Sequence, residues 1–175
     1  MGLSLDVENS MQPMMTNNTT EYIKFVAVIL GVLTAAWFVA GPAGFASVEY
    51  VMAVMGIFLI VFALFQLVGY RSFVGMFPEY DPIARVVPFY AYAYPFIGLI
   101  LGAFYLFDIG GAWRDGVTAL ILLVGAVGVY MNIRKDTTRP HCACLGNIIK
   151  LPLSWITFFE DAVMGAMALI MLIAF

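Results

Sequence analysis

Residues 48–70 read VEYVMAVMGIFLIVFALFQLVGY, an apolar run that past its opening Val-Glu holds one strongly polar residue, Gln66. A helix rises about 1.5 Å per residue, so roughly 20 such residues cross the hydrocarbon core of a bilayer. Apolar material in unbroken runs of this length does not resemble the short amphipathic pieces that fold around a soluble core. The expected solvent of this stretch is lipid.

The same pattern repeats on both sides of it. Upstream, residues 22–40 read YIKFVAVILGVLTAAWFVA, long enough for a span, and Gly41-Pro42 then breaks the run. A cleaved leader would open on a short basic stretch, whereas this run follows a weakly acidic segment with only Lys24 beside it, so a retained first span is expected. Residues 1–21 are polar and rich in Asn, Thr and Met, and predict a flexible tail. Downstream, RSFVGMFPEYDPIARVV mixes charge, Pro and aromatics as an interfacial connection does. Within it Glu79-Tyr80-Asp81-Pro82 predicts a Pro-containing turn with solvated acids.

Pro88 to Phe107 is the third span. Its Tyr90, Tyr92 and Tyr94 suit an aromatic belt at the headgroup level, and Gly98 and Gly102 have the GxxxG spacing that lets two helices approach closely. After the polar connection DIGGAWRDG, residues 117–133 form a short fourth span, and Leu153 to Phe175 a fifth. Asp108 and Gln66 are expected near span ends, in helix packing.

Composition agrees with this reading. The chain is 63% hydrophobic and only 11% charged, against about a quarter charged in an ordinary soluble domain, so too little charge exists to cover a water-facing surface. A net charge of −3 and the absence of any basic stripe argue against nucleic acid as a partner. With five spans, Lys24, Arg71, Arg85, Arg134, Lys135, Arg139 and Lys150 share one side and Arg114 alone lies on the other. Because short loops rich in Lys and Arg stay in the cytoplasm, the N-terminus and the fourth loop are expected to be cytoplasmic.

That fourth loop carries the sharpest chemical feature, His141-Cys142-Ala143-Cys144, directly after Arg139-Pro140. The thiolate is the reactive and metal-binding form of cysteine, and neighbouring positive charge favours it. Two sulfurs one residue apart cannot staple distant parts of the chain, so their use is local. They can cycle through a small, strained disulfide ring, as labile redox disulfides do. They can equally hold Cu(I) or another thiophilic ion, with His141 as a third ligand. The plain alternative is two small apolar side chains packed at the membrane surface. The second candidate constellation is Glu160 with Asp161, well inside the last apolar run. Ionisable residues at such depth face the bundle interior or a wet cavity. Arg71, Lys150, Tyr side chains or a bound ion are their expected partners, and snorkelling of one acid to the interface is the simpler outcome.

The segments RSFVGMFPEYDPIA, YAYAYPFIGLILGAFYLF and CACLGNIIKLPLSWITFFEDAVMGAM together resemble the MauE/DoxX family of small redox-associated membrane proteins. The resemblance covers residues 48–175. It implies an all-α integral membrane helical bundle with a DoxX-like four-helix core, to which residues 22–40 add one N-terminal transmembrane helix. It further implies a multi-pass protein of a bacterial inner membrane that helps mature disulfide-containing periplasmic enzymes, with copper-handling relatives. The chain departs from thioredoxin-like oxidoreductases in having Cys-x-Cys for Cys-x-x-Cys, and it has no second thiol pair, so a complete transmembrane thiol relay does not reside in it alone. Three functions follow as expectations: a thiol redox or maturation accessory working with a protein partner through Cys142 and Cys144, a Cu(I) or soft heavy-metal binder, or a structural subunit of a larger membrane complex.

Overall fold

The computed structural model describes residues 3–41, 47–134 and 155–174, all in helices and the short turns between them. The helices are α1 (Leu3–Ala40), α2 (Val48–Val68), α3 (Tyr70–Tyr80), α4 (Pro82–Val86), α5 (Pro88–Leu106), α6 (Gly111–Arg134) and α7 (Trp155–Ala174). Four stretches among the described residues are long and apolar enough to cross a bilayer: Tyr22–Ala40, Val48–Val68, Pro88–Leu106 and Gly111–Arg134. The fifth apolar run forms the 20-residue α7. Only helices and closed barrels satisfy every backbone group inside lipid, so long apolar runs fold this way or not at all.

Two antiparallel pairs organise the bundle. α2 and α5 meet through glycine: a Cβ on Gly102 would lie 2.7 Å from Ile60 Cγ1 and 2.9 Å from the Gly56 carbonyl oxygen, and one on Gly98 would touch the Ala63 side chain at 3.3 Å. The GxxxG spacing therefore marks a real backbone approach. α6 and α7 run antiparallel, with Gly116 opposite Leu172, Leu122 and Leu123 opposite Gly165, and Gly125 opposite Asp161. α1 lies along α2, burying Phe25, Val32 and Ala36, and Tyr50 donates to the Leu33 carbonyl at 3.3 Å. The first span is thus part of the packed core and not an appendage.

Helical backbone also extends from Tyr22 back to Leu3, through the segment expected to be a flexible tail. Extending a helix already nucleated in the apolar span fixes one residue per hydrogen bond, which makes propagation far easier than initiation.

The second connection folds onto the bundle as α3 and α4. Ser47 caps α2 at one end, and Asp81 caps α4, its Oδ1 accepting from the Ile83 and Ala84 amides at 2.9 and 2.8 Å. The turn with Pro82 at the first helical position is as expected, but Asp81 is not solvated: it is 1% exposed. Phe73 of α3 stacks with Phe77 and Tyr94, and Phe77 meets Tyr94 and Tyr90 at tilted angles. Tyr90 and Tyr94 thereby turn inward, one helical turn apart, and only Tyr92 keeps an outward, half-exposed position in the expected belt.

Burial raises the pKa of the Asp81 carboxyl above its ordinary 3.8, against the pull of the two amides it caps. A carboxyl that binds its proton more tightly folded than unfolded favours the fold at low pH and loses that advantage as pH rises through its folded value. Asp81→Asn retains the acceptor oxygen without the charge, so thermal unfolding in detergent should show it gaining on the wild type as pH rises from below 4 to neutrality. Asp81→Ala removes the cap and is expected to lose about 0.5–2 kcal/mol at any pH.

Candidate functional site

Cys142, Cys144 and His141 lie outside the described residues, as do Arg139 and Lys150. The described helices nevertheless fix where that segment is tethered. α6 ends at Arg134 and α7 begins at Trp155, both at the end of the bundle that carries α3 and α4, where Asn132 donates to the Glu79 carbonyl at 3.2 Å and Phe158 packs with Phe73 and Phe77. No group of three or more His, Cys, Asp or Glu placed to hold a metal occurs among the described residues.

Glu160 and Asp161 do not form one site. Neighbours on a helix point about 100° apart, and the structure separates them accordingly. Glu160 borders an apolar groove of about 380 Å³ between α1, α2 and α7, with Phe25, Phe58 and Met164. Asp161 turns towards Gly125 of α6 and lines an interior cavity of about 50 Å³, together with Gln66 of α2, Tyr94 of α5 and Thr118 of α6. Of its expected partners, Tyr94 lines the same space, whereas Arg71 is exposed. Asp81, buried under α3 and α4, is within electrostatic reach of Asp161 and of Tyr90.

At the opposite end, residues expected in a polar loop are instead built into α6. The helix starts at Gly111, six positions before the expected 117, and buries both Arg114 and Asp115 in its first turn and a half. Arg114 Nε donates to Asp115 Oδ1 at 3.0 Å. Its Nη1 donates to Asp108 Oδ1 at 3.2 Å and to the Phe104 carbonyl at 3.3 Å, and its Cζ lies 4.3 Å from the centre of the Tyr105 ring. Asp108, with φ +51°, and Gly110, with φ +97°, make the turn that brings these groups together. The one basic residue counted for this side is therefore paired and buried, and every unburied Lys or Arg among the described residues belongs to the other end.

The sequence profile of the family described as methylamine utilisation protein MauE matches residues 24–174. The chain belongs to the MauE family. The match begins at Lys24 and so takes in the first span, further than the resemblance over 48–175 reached, in keeping with the packing of α1 on α2. No curated protein and no solved structure matches this MauE-family chain significantly.

Three polar positions of the MauE-family bundle escaped a reading by hydropathy: Asp115, Thr118 and buried Asp81. Arg114 and Asp115 neutralise each other inside a helix, and residue-by-residue polarity assigns such a pair to a loop. For the separation of Glu160 from Asp161 a signal did exist, since adjacent helical residues cannot share a face.

Proposed function

We propose that this MauE-family membrane protein is a thiol redox or maturation accessory that exchanges electrons with a protein partner through Cys142 and Cys144. The observation that carries the reading is the Cys-x-Cys pair beside Arg139 and His141 in a segment anchored at both ends to one face of a membrane bundle. The neighbouring cation favours the thiolate that performs exchange. Each turn of the reaction converts two thiols to one disulfide, with the two electrons and two protons passing to the partner's disulfide, which becomes two thiols.

The same face carries Lys24, Arg71, Arg85 and Arg134, and the sequence adds Lys135, Arg139 and Lys150. Under the positive-inside rule this face is cytoplasmic, and the family resemblance suggests a bacterial inner membrane. Reducing conditions there make any disulfide transient, as a catalytic one is.

A membrane-impermeant maleimide applied to intact and permeabilised cells tests the placement and, with Cu(I) added, the chemistry. Labelling only after permeabilisation, unaffected by Cu(I), is expected. Labelling from outside would invert the orientation, and protection by Cu(I) would favour a soft-metal site made by Cys142, Cys144 and His141.

A further inference from the structure

The interior of the bundle contains more polar structure than packing requires. The hydroxyls of Tyr90, Tyr105 and Thr118 are all buried, and those of Tyr105 and Thr118 face each other beside Asp115. An orphaned buried hydroxyl costs about 1–3 kcal/mol, and native proteins pair such groups with protein or bound water. These three are not scattered. Thr118, 1% exposed, lines the central cavity with Gln66, Tyr94 and Asp161. Tyr105 lies beside Thr118 and Asp115 and reaches a second cavity of about 260 Å³, which opens at the other end of the bundle past Glu49 and Asp108. Tyr90 is within electrostatic reach of Asp81 and packs against Phe77 and Tyr94.

A cavity of about 50 Å³ has room for on the order of three waters, given that one needs about 10–15 Å³ of accessible volume and two to four polar partners. Carboxylate, amide and hydroxyls supply those partners here. Because α5 runs from Tyr94 to Tyr105 and α6 from Asp115 towards Gly125, the polar positions are spread along the bundle axis and not gathered at one end.

We propose that this trail, from the Glu49–Asp108 vestibule through Tyr105 and Thr118 to the central cavity, Asp161 and Asp81, is a hydrated proton path across the bundle. A proton enters as hydronium past Glu49 and Asp108, each O–H bond broken is matched by one formed on the next oxygen, and a proton leaves at the α3–α4 end of the bundle. No electron moves and no co-reactant is consumed. Titratable carboxyls facing the bundle interior are the usual elements of such relays. Arg114 does not bar the way, because its single charge is held between the carboxylates of Asp115 and Asp108. The path stands independently of the thiol reading.

The test reconstitutes the full chain in phosphatidylcholine–phosphatidylglycerol vesicles loaded with a pH-sensitive dye, with potassium and valinomycin holding the membrane potential at zero. After an external pH step, internal pH should relax at least about tenfold faster than in protein-free vesicles, as expected when positioned groups carry the proton. Thr118→Val, which keeps the shape and removes the hydroxyl, and Asp161→Asn should each return the rate close to that of protein-free vesicles. Thr118→Ser should restore it, and Ile170→Ala, on the outward face of α7, should leave it unchanged. Relaxation no faster than in protein-free vesicles, a rate set by sodium instead of pH, or full flux through folded Thr118→Val would overturn the path.

Discussion

Gly102→Ala should destabilise the bundle by about 1–3 kcal/mol, a large effect for one added methyl group, and Gly102→Leu should prevent α2 and α5 from docking. The added Cβ meets Ile60 Cγ1 at 2.7 Å and the Gly56 carbonyl oxygen at 2.9 Å, closer than real side chains approach. Backbone blocks the second of these contacts, so no rotamer change relieves it. Inside lipid the helices gain nothing from excluding water, and their association depends on close contact of this kind. Gly31 supplies the control: nothing lies within 4 Å of its added Cβ. Gly31→Ala should therefore be neutral or stabilising by up to about 1 kcal/mol, since alanine is the better helix former. Thermal unfolding in detergent, followed by loss of the monodisperse peak, measures both. Equal behaviour of the two alanine variants would contradict glycine-mediated packing of α2 on α5.

The second large effect is expected at Asp115. Removing it by Asp115→Ala leaves Arg114 with one exposed carboxylate, Asp108, in place of a buried one; the Arg114 and Asp115 side chains are 3% and 4% exposed. Breaking one partner of a buried pair costs about 3–5 kcal/mol, because the remaining charge keeps its desolvation penalty and loses its compensation. Replacing both, as Arg114→Met with Asp115→Leu, should recover most of that loss. The comparison separates an uncompensated charge from a simple cavity. A double variant as unstable as Asp115→Ala would show that packing, and not charge, dominates this turn.

The boundaries that hydropathy placed best are those where lipid alone decides. Tyr22–Ala40 ends at Gly41, Val48–Val68 stops two residues short of the expected Tyr70, and Pro88–Leu106 one short of Phe107. The first two stop at Gly41 and Gly69, where glycine intervenes, and the third at Phe107, before the turn in which Asp108 takes a positive φ. The failures occur where one polar group cancels another. Arg114 with Asp115 passes for a loop although it begins a helix, and Asp81 passes for a solvated acid although amides from Ile83 and Ala84 satisfy it. Such compensation is a property of pairs, and no single residue displays it. The Tyr90 and Tyr94 pair, by contrast, was legible in principle, because four-residue spacing puts both on one face, opposite Phe73 and Phe77 at the same spacing. The cavity joining Gln66, Tyr94, Thr118 and Asp161 needed three dimensions, since its four polar residues come from four different helices.

The central claim, that Cys142 and Cys144 form a working redox pair on this membrane bundle, is tested most directly by a thiol titration of the purified full-length protein. Alkylation by a mass-tagging maleimide across a series of reduced to oxidised glutathione buffers should show both thiols disappearing together at one reversible midpoint, with no bound metal and no transition in the Cys142→Ser, Cys144→Ser double variant. Thiols that stay reduced across the whole series, or that are found holding Cu(I) in fixed proportion, would contradict it.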